Sequence, residues 1–553
     1  MNKHVTILPS EVHGLIDCAR YQIEQLESKV ASSLDRDHNA NVGKNADTSN
    51  QTKHNEAVCS TTTSHLSREE LEDALDDGFM CIDLQTVQTK LQKWNQLFPQ
   101  VKPYFAMKCN PDPMVVKWLA NNSQLSVGFD VASWGEIQLA LEACGNDTSI
   151  DVTTKEPQGQ PRLVYANPQR AEQDLKNCMD AYLSMPCPIP LWLTLDGPEE
   201  LVKLFQISQQ QGFPLARIGL ILRILVPDHH SSVPLGEKFG TPLEEIGFLV
   251  QHGLEMGFQP TNFIGISFHC GSGCHDPATY RLALQMTRSA LDLIHSTFEQ
   301  QQARPNDSNT EITEHHRCSL IDIGGGFPGW DGLGGDQNRF SYSSDSHHNH
   351  DENSTTAATV DGNTTGEETT VETTSAIAEA IQPNLQAFAS EGYQIIAEPG
   401  RYFVEAAAGL VSRIYDKQML STTLQEETTA IRVYKIAHGV QGVFKDVLLC
   451  NENFTPLPLM MNDSPCDNAT TTSDHDTVVR PRFKSKIFGP TSSSLPNNDV
   501  VCSECQLPEL QVGDWLCFDR MGAYTLSIAS RAGRPVMCYV KGGSGVVGGE
   551  GTA

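Results

Sequence analysis

Between about residues 79 and 405, short apolar runs alternate with longer segments in which apolar and polar positions recur at helical spacing. The apolar runs are FMCIDL, PYFAMKC, LSVGFDV, RLVYAN, PLWLTL, IGLILRI, NFIGISFH, CSLIDI and YQIIAEP. The helix-like segments include VQTKLQKWNQLF, WGEIQLALEA and TYRLALQMTRSALDLIHSTFEQ. Strands that are apolar on both faces and are joined by helices are typical of a parallel sheet. Eight or so such units predict an α/β fold, a closed (β/α)8 barrel.

The pattern changes after about residue 406, where apolar segments are shorter and are separated by turn residues. These segments are AAAGLVSRIYDK, TAIRVYKIAH, GDWLCFDRM, YTLSIAS and PVMCYVKG. The string GVFKDVLLC also has the composition of a strand. The series predicts a second, smaller all-β domain over residues 406–541.

Polar segments of low complexity interrupt and flank these two domains. They cover about residues 31–68 and 332–375, with shorter stretches at 303–316 and 462–480. Their few apolar side chains cannot offset the entropy cost of ordering the chain, so we predict disordered insertions. Residues 1–30 precede them as an N-terminal segment, and the glycine-rich residues 542–553 are predicted to form a flexible tail.

Charge and composition exclude several classes of protein. The 553 residues include 39 Lys and Arg against 68 Asp and Glu, a net charge of −29. This balance argues against binding to nucleic acid or to an anionic membrane. The chain has no apolar run of about 18 residues and no signal-peptide core, which predicts a cytoplasmic protein. Its 16 cysteines are too sparse for a disulfide scaffold.

Charged residues stand at the ends of two predicted strands. Lys108 follows the run Pro103 to Met107, at the carboxyl end of a strand, where barrels hold their catalytic groups. Desolvation there would lower the pKa of the amine, and a neutral amine can form a Schiff base. The alternative is a lysine that only reaches the surface. Glu398 and Arg401 also leave two interpretations open. They could form a simple ion pair, or Glu398 could bind a ring nitrogen while Arg401 binds a phosphate.

A glycine-rich turn follows the strand that ends at Ile323. Gly324, Gly326 and Gly329 match the G-x-G-x-x-G pattern of dinucleotide-binding folds. Pro328 and the polar insertion that follows exclude the helix that such a fold needs at this point. Two interpretations remain open, a backbone N–H cradle for one phosphate and a tight turn without a ligand.

Histidines and cysteines occur in groups that resemble metal sites only superficially. The string HCGSGCH at residues 269–275 fits no common zinc spacing, and Cys502 and Cys505 form a single C-x-x-C without a second pair. The histidines at 347–350 lie in a predicted insertion. We therefore predict no metal.

Several strings together resemble one protein family, and they occur in its order. They are PYFAMKCN, GFDVASWGEIQLAL, LVYANP, ISFHCGSGC, IDIGGGFPG, IIAEPGRYFV, GPT at 489–491 and VGDWLCFDRMGAYTLSIAS. They resemble the eukaryotic ornithine decarboxylases, which are barrel-type decarboxylases dependent on pyridoxal phosphate. The wider family includes diaminopimelate and arginine decarboxylases and the antizyme inhibitors.

The resemblance implies a role for each matching residue. Lys108 would bind pyridoxal phosphate covalently, His269 would stack on its ring, and Glu398 would keep the ring nitrogen protonated. The phosphate would be held by Ser272, Gly324, Gly325, Gly326, Arg401 and Tyr524. Asp130, Glu136 and Arg223 would surround the cofactor and Lys108. The family also implies a head-to-tail homodimer with active sites shared between the subunits.

The substrate half departs from the family pattern. Ser492 stands where the family has a catalytic cysteine, and Ser493 stands where it has an acidic residue. Cys450 replaces a second substrate-binding aspartate, and three extra residues precede Asp499. Each lost charge-assisted hydrogen bond is worth about 1.5–3 kcal/mol, so two losses would weaken binding of a distal ammonium by roughly two to four orders of magnitude. A carboxylate from another position, such as Asp446 or Asp499, could compensate.

These observations predict a pyridoxal-phosphate-dependent amino-acid decarboxylase, with ornithine as substrate and putrescine and carbon dioxide as products. The lost carboxylates leave two alternatives. One is a catalytically impaired relative that regulates by binding partners, as antizyme inhibitors do. The other is a decarboxylase of a different amino acid.

Overall fold

The computed structural model describes the two predicted domains and omits most of the predicted insertions. The described residues are 5–6, 19–20, 22–24, 26, 76–121, 127–144, 162–185, 189–302, 316–329, 373–424, 427–449, 452–459, 470–471, 478–491, 499–529 and 534–540. One helix begins at Thr373, inside the segment 332–375 that was predicted to be disordered. It begins there because Ile377 and Ile381 start an apolar face that is buried.

Within the described residues, eight parallel strands close into a barrel, which confirms the predicted fold. They are β3 (Val101–Ala106), β4 (Gly128–Val131), β5 (Leu163–Tyr165), β6 (Leu191–Leu195), β7 (Ile218–Arg223), β9 (Phe263–Ser267), β11 (Leu320–Asp322) and β12 (Gln394–Ala397). All eight are parallel to their neighbours, and β12 pairs with β3 to complete the ring. Their carboxyl ends therefore meet at one mouth of the barrel.

Helices cover the outside of the barrel and continue into the second domain. They are α1 (Leu84–Leu97), α2 (Pro113–Ala120), α3 (Trp134–Cys144), α4 (Glu172–Leu183), α5 (Pro198–Gln211), α6 (Ile246–Met256), α7 (Pro277–Gln302), α8 (Thr373–Ser390), α9 (Arg401–Val404) and α10 (Asp446–Leu449). Local sequence fixes their ends: the Asp83 side chain accepts a hydrogen bond from Gln85 N, and Asp112 caps α2 ahead of Pro113. None of the described helices is long and apolar enough to cross a membrane.

The remaining strands build a separate β domain. They are β1 (Val5–Thr6), β2 (Gly78–Asp83), β13 (Ala408–Leu424), β14 (Glu427–Ile436), β15 (Leu457–Leu459), β18 (Arg482–Phe488), β19 (Val500–Pro508), β20 (Trp515–Phe518) and β21 (Val536–Val540). Two short pairs lie apart, β8 (Ser231–Val233) with β10 (Ser272–Cys274), and β16 (Thr470–Thr471) with β17 (Val478–Val479). The second, all-β domain is thus present as predicted.

One strand belongs to a different sheet from the one predicted. The run FMCIDL was assigned to the barrel, but β2 pairs with β13 on one side and β21 on the other. All six of its residues are buried, and an apolar run that is buried on both faces suits a central strand of either sheet. The boundary at residue 79 is therefore wrong for this strand, because the barrel proper begins with β3.

Two segments that were predicted as strands are not strands. Residues 524–529 form consecutive turns, because Tyr524 has a φ of 56°, in the left-handed region. Residues 442–445 form turns and lead into α10, which ends at Leu449. The first segment meets the barrel mouth, since Tyr524 N donates to Cys109 O at 2.9 Å, and the second segment contacts the first, since Lys445 Nζ donates to Ile528 O at 3.4 Å.

Candidate active site

Lys108 lies at the barrel mouth, immediately after β3. The backbone N–H of Met107 donates to Asp130 O at 3.0 Å, which continues the pairing of β3 with β4. The Lys108 ammonium then lies 3.1 Å from Asp130 Oδ2. Asp130 is fully buried, whereas 40% of the Lys108 side chain remains accessible. The amine is thus held by a buried carboxylate and faces accessible space.

The electrostatic state of Lys108 differs from the prediction. Burial favours the neutral amine, but the carboxylates of Asp130 and Glu398 outweigh it and raise the pKa of Lys108. The expectation of a lowered pKa was wrong because sequence shows the strand end and not the carboxylates that converge on it. In the protein alone, Lys108 is therefore a stabilised ammonium.

Three carboxyl groups converge at the same mouth. Glu398 follows β12, and its backbone N–H donates to Gly324 O at 2.7 Å. Burial, together with Asp130 and Asp322, raises the pKa of Glu398 well above its usual range. Burial likewise raises the pKa of Asp322 to about 7. Glu398 and Asp322 interact directly, so at neutral pH the pair holds a proton.

Asp322 was not singled out from the sequence. It is the last residue of β11, and Gly324 N donates to its Oδ1 at 2.9 Å. The available signal was an acidic residue inside an apolar run directly before the glycine turn. Its contact with Glu398 depends on closure of the barrel, because β11 and β12 are neighbours in the ring.

His269 follows β9, and its ring is neutral. Gly271 N donates to its Nδ1 at 3.0 Å, so the ring proton is on Nε2. Burial, assisted by the positive charges of Arg223 and Lys108, lowers the pKa of His269 well below its usual range. A Cβ on Gly325 would lie 2.9 Å from His269 Nε2, so the imidazole and the glycine turn are in direct contact.

The glycine turn is a close-fitting backbone cradle. Gly324 and Gly326 have φ values of 63° and 98°, which side-chain-bearing residues rarely adopt. A Cβ on Gly324 would lie 2.0 Å from Phe268 O, and one on Gly326 would lie 2.4 Å from Gly271 O. Turns of this kind present backbone N–H groups to an anion. The geometry suits the cradle interpretation, although a tight turn alone would have the same glycines.

The other proposed phosphate residues border the ends of this turn. Gly326 O accepts from Cys274 N at 2.8 Å, on the strand that begins with Ser272. The Arg401 guanidinium lies 5.2 Å from the centre of the Tyr524 ring. Arg401 Nη1 lies 3.6 Å from Glu405 Oε1, and the buried Nε of Arg401 has no hydrogen-bond partner among the described residues. An unpaired buried donor on a cation is the feature expected where an anion binds.

Glu136 and Arg223 complete the ring of charged residues. Glu136 accepts from Ala132 N at 2.6 Å, and burial raises its pKa to about 7. Arg223 ends β7, and burial lowers its pKa against the opposing effect of Glu398 and other carboxylates. The structure thus places Asp130, Glu136, Arg223 and Glu398 near enough to Lys108 or to one another to interact electrostatically.

The predicted substrate residues are placed differently. Cys450, Ser492 and Ser493 lie outside the described residues. Asp499 is described, but it is 1% exposed and its carboxylate accepts from Val440 N and Thr491 N at 2.7 Å each. Its φ of 65° is also tolerated best by Gly, Asn and Asp. In this structure the Asp499 carboxylate fastens two backbone segments together, and a substrate-binding role for Asp499 stays a prediction.

Asp446, the other carboxylate considered, is also buried. Glu405 raises the pKa of Arg401 most, against the opposing effect of burial, and Asp446 adds a smaller contribution in the same direction. Among the described residues, no group of three or more His, Cys, Asp or Glu is arranged to hold a metal ion.

Residues 84–405 match the family model described as "Pyridoxal-dependent decarboxylase, pyridoxal binding domain". The chain is 29% identical over 475 residues to an ornithine decarboxylase of Caenorhabditis elegans, covering 84% of this chain and 87% of that protein. It is 30% identical over 460 residues to antizyme inhibitor 2 of Xenopus laevis, covering 82% and 78%.

The fold resembles the arginine decarboxylase of Paramecium bursaria Chlorella virus, with a TM-score of 0.60 and 23% identity. That match covers 84% of this chain and 96% of the viral protein. The resemblance inferred from the motifs is confirmed, and the barrel mouth offers the lysine, acidic groups and anion cradle that pyridoxal phosphate requires. The chain therefore belongs to the pyridoxal-dependent decarboxylases and is a carboxy-lyase of the ornithine and arginine decarboxylase family.

Proposed function

We propose that this enzyme converts ornithine to putrescine and carbon dioxide in polyamine biosynthesis. The observation that carries the proposal is the convergence of Lys108, Asp130, Glu398 and His269 at one end of the barrel, beside the turn at Gly325. Ornithine is favoured among the possible amino acids because ornithine decarboxylases are prominent among the relatives.

The residues present fit pyridoxal phosphate at both of its ends. Lys108 would bind the aldehyde carbon, and Glu398 would face the ring nitrogen. The phosphate would be held by Ser272, Gly324, Gly325, Gly326, Arg401 and Tyr524. When bound, the cofactor supplies an electron-withdrawing ring that accepts the electron pair released as carbon dioxide departs.

The side chains of this chain control where protons lie. The Glu398 and Asp322 pair holds a proton at neutral pH, and it can share that proton with a basic ring nitrogen. Asp130 holds the Lys108 ammonium at 3.1 Å, so it also fixes the direction in which the amine points. The neutral His269 ring adds an uncharged flat surface beside Gly325.

We propose that two chains assemble with their active sites shared. The supporting observation is a pair of exposed apolar residues in α10, Leu448 and Leu449, which are 60% and 62% exposed. They directly precede Cys450, one of the positions expected to meet substrate. Apolar residues of this size at a functional segment are commonly covered by a partner.

The function is tested by measuring carbon dioxide release from ornithine, lysine, arginine and diaminopimelate, with pyridoxal phosphate added to the purified chain. The expected result is turnover of ornithine above the other three. Preference for another of the four amino acids would overturn the substrate assignment and leave the reaction type intact.

A second function is favoured by two specific observations. The chain is similar to an antizyme inhibitor, and Ser493 and Cys450 replace the two expected substrate carboxylates. A regulatory relative would bind the cofactor or a protein partner without turnover. Cofactor absorbance with no release of carbon dioxide from any of the four amino acids, combined with binding to antizyme, would establish this alternative.

A further inference from the structure

Cys502 and Cys505 lie on β19, at the edge of the β domain. In a regular strand, residues three positions apart point to opposite faces, because side chains alternate with a period of two. Here, Ser485 pairs with Cys505 and Ile487 pairs with Cys502, so two positions on β18 oppose three on β19. This is a β-bulge, and its one extra residue brings both cysteines to the same face.

The two thiols are in contact and are partly accessible. Both side chains are half-buried and pack against the same apolar core. The Cys502 thiol donates to Glu504 O at 3.4 Å and the Cys505 thiol donates to Ser485 O at 3.6 Å. The neighbouring Cys505 thiol lowers the pKa of Cys502 to about 7, against the opposing effects of burial and of the Glu504 carboxylate. At neutral pH, a substantial fraction of Cys502 is therefore a nucleophilic thiolate.

Other described cysteines lack this combination. Cys270 and Cys274 are near each other, but both are buried and burial raises their pKa values. Cys144 is half-buried, and burial raises its pKa as well. Thiols of this kind are poor nucleophiles at neutral pH.

A metal site does not account for the pair. A structural zinc site takes four ligands, and no third His, Cys, Asp or Glu joins the two thiols in the part of the chain that the structure describes. Two adjacent thiols without further ligands are instead suited to disulfide chemistry.

We propose that Cys502 and Cys505 are a redox-sensitive dithiol that closes to a disulfide within β19. The oxidant is a low-molecular-weight disulfide such as oxidised glutathione. The Cys502 thiolate attacks one of its sulfurs and expels a first thiolate. Cys505 then loses its proton and attacks the Cys502 sulfur of the mixed disulfide, expelling a second thiolate. Two protein thiols are oxidised, and the small disulfide is reduced to two thiols.

The test uses the full chain, equilibrated in glutathione buffers of increasing oxidised fraction. Remaining thiols are then alkylated, and the mass of the peptide that contains both cysteines is measured by mass spectrometry. The expected product lacks two hydrogens and carries neither alkyl group nor glutathione. A peptide alkylated at both cysteines in the most oxidising buffer, or one that carries glutathione on each, would overturn the proposal.

The rate of alkylation of Cys502 as a function of pH distinguishes a redox role of Cys505 from a role in packing alone. In the reduced wild-type chain, Cys502 should be alkylated with a pH midpoint near 7. In Cys505→Ala, which removes the hydrogen-bond donor, the midpoint should rise, and oxidised glutathione should leave a stable mixed disulfide on Cys502. Cys144→Ala is the matched control and should change neither result. An unchanged midpoint in Cys505→Ala would show that Cys505 only packs against the core.

Discussion

The cofactor half and the substrate half of the site are built on different supports. The cofactor half rests on the ends of barrel strands, where Lys108, Asp322 and Glu398 are fixed by β3, β11 and β12. The substrate half is expected from the sequence around residues 450 and 489–499, and residues 450 and 492–498 lie outside the part of the chain that the structure describes. In the first half every expected residue type is present, whereas in the second half the expected Cys and both expected acidic groups are replaced.

The cofactor half determines which reaction is catalysed, and the substrate half determines which amino acid is accepted. Strand ends in a closed barrel are held by pairing on both sides, so their side chains are pre-organised. Connections between strands tolerate insertion and substitution, and in this chain they carry extra residues before Asp499. We therefore expect substitutions in the cofactor half to abolish decarboxylation. Substitutions in the substrate half should instead alter which amino acid is decarboxylated.

The largest effect is expected from Lys108→Ala. Without the amine that binds the cofactor, turnover should fall by at least about a thousandfold, and covalently bound cofactor should be lost from the visible spectrum. The measurement is carbon dioxide release together with absorbance. Lys117→Ala, on the exposed face of α2, is the control and should behave as wild type. Full activity in Lys108→Ala would refute the assignment of the barrel mouth as the cofactor-binding active site.

The next effect is expected from restoring the lost carboxylates. Cys450→Asp combined with Ser493→Asp should lower the KM for ornithine by about two to four orders of magnitude, if each new ion pair contributes about 1.5–3 kcal/mol. Cys450→Asn with Ser493→Asn is the neutral control. If the acidic pair improves no diamino acid, the substrate of this enzyme has no distal ammonium.

A smaller effect is expected from Gly325→Ala. The new Cβ would lie 2.7 Å from Glu398 O and 2.9 Å from His269 Nε2. Relief of such overlap costs about 1–3 kcal/mol, so cofactor affinity should fall roughly 5- to 150-fold in a spectroscopic titration. Gly135→Ala, where nothing lies within 4 Å of the new Cβ, is the control. Equal affinities of the two variants would show that the turn does not shape the cofactor site.

The smallest effect is expected on the pH dependence of stability. Asp322 has a pKa of about 7 when folded, against 3.8 normally. Between these values the folded chain binds more protons than the unfolded chain, so stability falls as pH rises from about 4 to 7, by at most about 1.4 kcal/mol per pH unit for one proton.

Asp322→Asn removes this titration while keeping an amide that can hydrogen-bond. The fall in unfolding free energy between pH 5 and pH 7 should therefore be shallower in the variant, measured by urea unfolding of the cofactor-free protein. An identical slope would show that Asp322 does not titrate in this range.

The strand pattern placed Lys108 and Glu398 at strand ends, which share one edge in a barrel, and the resemblance to the family supplied the other cofactor residues. An apolar run followed by Lys108 or Glu398 was enough to bring those residues together. The pKa of Lys108 could not be predicted, because its sign depends on a 3.1 Å contact with Asp130, which comes from the neighbouring strand. Asp322 was missed for the same reason, since its partner Glu398 is distant in sequence.

Other misses arose where local composition was compatible with two structures. The run that forms β2 suits a buried strand in either sheet, and only its pairing with β13 and β21 decides between them. YTLSIAS has strand composition, but the left-handed backbone at Tyr524 turns it toward Cys109. In the sequence, Asp499 resembled a carboxylate free to bind substrate. The backbone N–H groups of Val440 and Thr491 that donate to it are visible only in the structure.

The position of β2 has a consequence for how the polypeptide acquires its structure. This strand is made before the whole barrel, yet both of its neighbours, β13 and β21, are made after it. Its edges stay unpaired throughout synthesis of the barrel, and such long-range pairing is slow. The sheet of the β domain therefore cannot be completed before β13 and β21 are made, and a ribosome-bound chain that ends near residue 405 would expose an apolar strand to chaperones or to aggregation.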